Sequence, residues 1–153
     1  MRRTDREIHS RATIDQIINA AGVCHLGLSN QDHPYVVPIS FGYDGSSIYF
    51  HTAAEGMKID YMTANPRVCF EMEQAVSVVR NEQFACKWGQ LFSSVIGFGT
   101  LHEITDPASR QAAMNQVMQH YSGKTWEFDP ETFAQVRLWC ISIDRLTGKQ
   151  RAV

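Results

Sequence analysis

His51, Thr52 and Lys58 carry the densest chemistry in this chain: an imidazole, a hydroxyl and an ammonium within one short segment. Between them lies Ala53-Ala54-Glu55-Gly56, a small-residue loop with backbone amides free to point at a ligand, and Met57-Lys58-Ile59-Asp60 opens a helix. Cationic and N–H donors gathered where a strand runs into a helix can hold a phosphate. Taken alone, Lys58 reads as a solvated helix lysine and His51 as a surface histidine stacked beside Tyr49. Their conjunction with Thr52 and the loop favours phosphate contact. Further along, Ser93 and Ser94 bring two hydroxyls into a strand whose glycines, Gly97 and Gly99, admit a bulge or a close neighbour. Serines at an ordinary strand entry would look the same.

Other chemistries are not represented. There is no Gly-x-Ser-x-Gly, no His-Glu-x-x-His and no Walker lysine motif, and Gly97-Phe98-Gly99 is too short for a dinucleotide fingerprint. The histidines, His9, His25, His33, His51, His102 and His120, show no metal-ligand spacing. Cys24, Cys69, Cys86 and Cys140 are widely spaced without a Cys-x-x-Cys pair, so neither zinc nor a disulfide framework is expected. Cys24 and Cys69 sit in apolar strand patterns and read as buried, inert thiols. Trp126 and Trp139 read as core or interface anchors.

These groups must be positioned by a mainly β scaffold. Tyr35 to Tyr43 and Ser47 to His51 are rich in β-branched and aromatic residues and flank Asp44-Gly45, a hairpin signal. Asp5 to Ala21 reads as a helix ended by Gly22, Val23 to Leu28 as a strand, and Lys58 to Thr63 as a short helix closed by Asn65-Pro66. Arg67 to Met72 and Ala75 to Val79 alternate like strands, and Leu91 to Ile104 reads as one long strand. Pro107 to Tyr121 reads as a helix capped by Asp106. Thr132 to Ile143 begins as a short helix and ends as a strand, followed by a polar tail from Asp144. Consecutive strands with few helices between them imply an antiparallel sheet or small barrel of six or seven strands, not a doubly wound fold.

The 153 residues fit one domain spanning 1–153, with 44% hydrophobic and 20% charged residues. A net charge of −2 without a basic run disfavours nucleic-acid binding. No stretch approaches the ~18 apolar residues of a membrane span, and the charged N-terminus lacks the apolar core of a secretory signal, so no membrane association and cytoplasmic residence are expected.

Pro34 to Asp60, Asn65 to Phe70 and Ser94 to Gly99 together resemble the flavin-nucleotide-binding relatives of pyridoxamine 5'-phosphate oxidase, nearest the 5-nitroimidazole-resistance branch. Arg3 to Ile8 and Leu146 to Lys149 match that branch as well. The resemblance implies an FMN-binding split β-barrel, antiparallel with flanking helices (mainly β, α+β), forming a homodimer with FMN at the subunit interface. Carried over by position, Val37, Pro38, Ile39 and Ser40 would pass the isoalloxazine, mostly through backbone groups. His51 and Thr52 would lie by the phosphate and ribityl chain, with Lys58 as the phosphate cation. Ser93, Ser94 and Val95 would approach the flavin from the partner subunit. The oxidase proper carries an arginine-rich phosphate grip where this chain reads Val36-Val37-Pro38-Ile39-Ser40, and its vitamin-substrate signature is not recognisable near the C-terminus, so pyridoxamine phosphate oxidation is not implied. The expected function is an FMN-dependent oxidoreductase reducing a small acceptor such as a nitroaromatic. The alternatives are a flavin carrier or sensor without turnover, and a haem-binding split barrel with His51 as ligand.

Overall fold

A computed structural model describes residues 3–151. The chain order is β1 (Glu7–Ile8), α1 (Arg11–Ala20), β2 (Cys24–Asn30), β3 (His33–Ile39), β4 (Gly42–Tyr43), β5 (Ser47–Thr52), α2 (Met57–Ala64), β6 (Arg67–Val79), β7 (Gly89–Ile104), α3 (Pro107–Ser122), α4 (Pro130–Ala134) and β8 (Arg137–Arg151). Strand alternation sets which side chains face inward. Cys24, Leu26 and Leu28 on β2, Val68, Phe70 and Met72 on β6, and Ile48 and Phe50 on β5 are all buried. Ile14, Ile17 and Ile18 of α1 are buried with them. A ten-residue helix containing several β-branched residues would be marginal alone, so this burial is what holds it, at roughly 1.5–3 kcal/mol per large apolar side chain.

The strands form one antiparallel sheet in the order β3-β2-β6-β7-β8-β5-β4, with β1 added along β8. The outermost strands, β3 and β4, are consecutive in the chain and joined only through Ser40-Phe41. The sheet must therefore curl until its edges meet. The result is a barrel whose seam is crossed by chain instead of by a ladder, the split barrel expected from the sequence. A second apolar cluster lies outside this core, where Ala113, Met114 and Val117 of α3 cover Leu138 of β8.

Several boundaries differ from the sequence reading. The N-terminal helix begins at Arg11, because Ser10 accepts the Thr13 amide as its cap, while Glu7 and Ile8 pair with Lys149 and Gly148 of β8. Residues 67–79 form one strand bulged at Ala75, whose φ is +54°. The polar tail is strand as far as Arg151, since β8 supplies the neighbour that both β7 and β1 need. The hairpin at Asp44-Gly45 is real, with Gly45 at φ +95° and the Asp44 carboxylate accepting the Ser46 and Ser47 amides. It pairs only Gly42 and Tyr43 with Tyr49 and Ile48, because residues 33–39 pair with β2 at the opposite edge of the sheet. Gly97 does admit a close neighbour, and that neighbour is the core: a Cβ there would sit 2.1 Å from the Phe70 ring.

Among the described residues, no helix is long and apolar enough to cross a membrane. The four cysteines are free; Cys24 is buried, but Cys69 faces outward and is half-exposed, contrary to the sequence expectation, because strand alternation turns it away from Val68 and Phe70. Trp139 is a core anchor as expected, whereas Trp126 is exposed and donates to the Ser122 hydroxyl.

Candidate functional site

The end of β5, the loop after it and the start of α2 form one unit. Alternation along β5 turns Phe50 and Thr52 inward and His51 outward. The Thr52 hydroxyl is already engaged. It accepts from Trp139 Nε1 at 3.0 Å and donates to the Ala53 carbonyl at 2.8 Å, and the residue is only 4% exposed. Its side chain thus anchors the strand end to β8, and what it can present outward is backbone.

His51 lies at the rim. Partial burial, and then the nearby Lys58 ammonium, lower its pKa below the ordinary 6.5. Both factors act against the imidazolium, so the neutral ring is favoured at pH 7. Lys58 is half-buried and has no carboxylate at ion-pair distance among the described residues. Gly56 is the N-cap of helix α2, and no side chain caps the helix. The Ile59 and Asp60 amides turn back to the Gly56 carbonyl, and the amides of Met57 and Lys58 find no acceptor among the described residues. Two free N–H groups, one unpaired ammonium and one imidazole thus share a corner that is electropositive at the helix N-terminus.

Arg137 supports this corner, and sequence reasoning missed it. Its guanidinium makes a bidentate pair with Glu103 of β7 at 2.6 and 2.7 Å, stacks over Trp139 with its Cζ 4.8 Å from the ring centroid, and reaches the Ala54 carbonyl at 3.5 Å. It ties the loop after β5 to the sheet. No local signal could have revealed it, because Ala54 and Arg137 are far apart in sequence and meet only through the β5–β8 ladder.

On the other side of the seam, β3 ends at Ile39. The side chains of Val37 and Ile39 point into the core at 6% and 7% exposure, while Pro38 and Ser40 face out. As an edge strand, β3 leaves the backbone groups on its outer side without a ladder partner. Continuing the β4–β5 register by two residues would set Ser40 opposite His51, but pairing stops at Gly42. The seam therefore lies between the backbone of Val37–Ser40 and the His51–Lys58 corner.

Ser93, Ser94 and Val95 lie elsewhere. Val95 is fully buried, and it pairs with Met72 and Gly148 in the first half of β7. His51 registers with Leu138, and Leu138 with Ile104, at the other end of β7. Roughly 30 Å of strand separates the two groups at ~3.3 Å per residue. One chain brings Ser40, His51 and Lys58 to a common seam and leaves Ser93–Val95 about ten residues along β7 from the position in line with His51.

This arrangement can hold an anion at the α2 corner and lay a flat group along the seam. The donors fit a flavin phosphate in kind, with an ammonium, two amides and an imidazole, and free backbone along β3 for a ring system.

The chain is 30% identical over 70 residues to an uncharacterized protein of Rhizobium meliloti (strain 1021), a match covering 46% of each chain, so it spans about half the length of that relative. Its fold is similar to that of a Bacteroides thetaiotaomicron protein assigned to 5-nitroimidazole antibiotic resistance, with a TM-score of 0.83 and 28% identity over 94% of this chain and 85% of that one. It also shares the fold of a FAD- and haem-binding protein of Mycobacterium smegmatis, with a TM-score of 0.81 and 18% identity over 97% and 74% of the two chains. Because the sequence model described as pyridoxamine 5'-phosphate oxidase matches residues 10–150, nearly the whole of the barrel with its seam and α2 corner, the chain belongs to the pyridoxamine 5'-phosphate oxidase family.

Proposed function

We propose that this protein is a homodimeric, FMN-binding oxidoreductase that reduces a small acceptor such as a nitroaromatic. The observation that carries the reading is the α2 corner, where Lys58, His51 and two uncapped amides converge with no carboxylate at ion-pair distance among the described residues. The flavin phosphate is held by Lys58 and the amides of Met57 and Lys58, and its arrival favours the protonated form of His51. The ring lies along the Val37–Ser40 backbone. Arg137 keeps the loop in place through Ala54, and the Thr52–Trp139 hydrogen bond keeps the end of β5 from fraying. The register supports a two-copy site: Ser94 lies about ten residues along β7 from Ile104, the residue in line with His51, so if Ser93, Ser94 and Val95 approach the same ring, they come from a second subunit. When bound, the flavin supplies hydride or electron transfer, and the protein orients it and shields it.

An absorption spectrum of the purified protein tests this. Bands near about 370 and 450 nm support flavin; a Soret band would replace this reading with a haem site using His51. A colourless preparation that also fails to take up added FMN would refute it. Anaerobic addition of NADH or NADPH separates enzyme from carrier. Bleaching followed by reoxidation with a nitroaromatic supports turnover, and an inert flavin indicates a carrier or sensor.

A further inference from the structure

Where the chain crosses the seam, at Ser40-Phe41, the end of α3 grips it. The Tyr121 hydroxyl accepts the Phe41 N–H at 3.2 Å and donates to the Gly22 carbonyl at 3.0 Å. With its proton spent on Gly22, the oxygen meets Phe41 through a lone pair only. His120 holds the same turn: Nε2 donates to the Ala21 carbonyl at 2.8 Å, and its ring lies 4.3 Å from that of the fully buried Phe41. Gly42 follows without a side chain, since a Cβ there would sit 2.3 Å from the backbone of Gln116. The crossover is thus pressed against α3 and cannot shift toward it. Tyr121 itself is 45% exposed, so its ring is not core filling, and its main contribution is the oxygen.

A trans peptide points its N–H and its C=O in opposite directions, and the Ser40–Phe41 peptide is trans. Turning the Phe41 N–H toward Tyr121 therefore turns the Ser40 carbonyl away from α3. Ser40 is exposed, and its carbonyl finds no donor among the described residues. It closes the Val37–Ser40 run, along which the flavin ring is laid in the function proposed above. We propose that Tyr121 is a positioning residue for that run, and that the carbonyl it turns outward accepts the imide N–H of the flavin ring. This rests on the flavin reading and deepens it: a side chain of α3, acting through one peptide, sets a hydrogen bond to the ring.

Riboflavin and riboflavin methylated at the imide nitrogen differ only in that N–H. Both are titrated into the flavin-free, full-length protein and followed by quenching of flavin fluorescence. Riboflavin should bind about tenfold more tightly, because methylation removes one hydrogen bond and leaves the carbonyl unpaired. Tyr121→Phe keeps the ring and removes both of its hydrogen bonds, and the preference should shrink to about twofold or less. A merely structural role would weaken both flavins alike and leave their ratio unchanged. Gly97→Ala, destabilised instead on β7 where its Cβ meets the Phe70 ring, should keep the preference. Amide exchange read by NMR on the same flavin-free samples gives a second measure: the Phe41 N–H should exchange at least about tenfold faster in Tyr121→Phe than in the wild type. Equal affinity of the wild type for the two flavins, a ratio unmoved by Tyr121→Phe, a ratio lost in Gly97→Ala as well, or equal Phe41 exchange rates would overturn the proposal and leave the flavin site standing. A protein that binds neither flavin nor FMN removes the flavin reading, and this proposal with it.

Discussion

Replacing Lys58 with alanine probes the α2 corner directly. Lys58 is half-buried and unpaired among the described residues, and it faces His51 beside two free amides. A hydrogen bond to a charged group contributes about 1.5–3 kcal/mol. Because the ammonium keeps part of its hydration, the lower part of that range applies, about 1.5–2 kcal/mol. At about 1.4 kcal/mol per decade, Lys58→Ala should weaken FMN binding roughly 10–30-fold. Riboflavin has the same ring and ribityl chain without the phosphate, so its affinity should stay within about twofold. The pH of the assay matters. Lys58 depresses the pKa of His51, so its removal lets the imidazole protonate more readily and replace part of the lost charge in acid. Quenching of flavin fluorescence on titration with apoprotein should therefore be read near pH 8, where His51 is neutral. The deficit should shrink when the titration is repeated near pH 6. Equal weakening of FMN and riboflavin would assign Lys58 a structural role and refute the reasoning, as would unchanged FMN affinity at pH 8.

Three further outcomes follow from the packing and charges. Gly97→Ala should lower thermal stability by about 1–3 kcal/mol, seen as a drop in Tm of roughly 2–12 °C by circular dichroism, because its Cβ meets the Phe70 ring; with Phe70→Leu in the same chain the loss should be smaller than the sum of the two single changes. Thr52→Val should cost about 1–3 kcal/mol in urea unfolding, since it strands the buried Trp139 N–H, while Thr52→Ser should recover most of it; equal losses for the two variants would show that the hydroxyl is dispensable. The folded state holds the pKa of His51 below 6.5, so the unfolded chain binds more protons there. Stability should therefore fall as pH drops below about 6.5, and His51→Gln should flatten that slope in urea titrations; an unchanged slope would mean that His51 is not the group responsible.

Much of the architecture was legible in local signals. Val36 to Ile39, Ser47 to Phe50 and Arg67 to Met72 alternate in burial as their sequence pattern suggests, because the period of a strand is two and one face of each strand is core. Asp106 announces α3, and its carboxylate accepts the Ser109 amide. Lys58, Gly56 and His51 were visible as an anion-binding grouping because they are neighbours along the chain. Which strands would pair was not visible. Residues 35–43 and 47–51 look like one hairpin, yet most of the first run crosses to β2, since only a partner far away in the sheet completes the barrel. The same applies to Gly97, whose missing side chain accommodates Phe70, and to the Thr52 hydroxyl, which is taken by Trp139. The contact of Arg137 with the Ala54 carbonyl comes from ladder register alone. The sequence by itself determined the strand-rich class, the family resemblance and the chemical character of the α2 corner, because these depend on neighbours in the chain. Only the tertiary structure decided the seam, the place of Arg137 beneath the loop after β5, and the register that sets Ser94 apart from His51, because long-range register sets which side chains share a face.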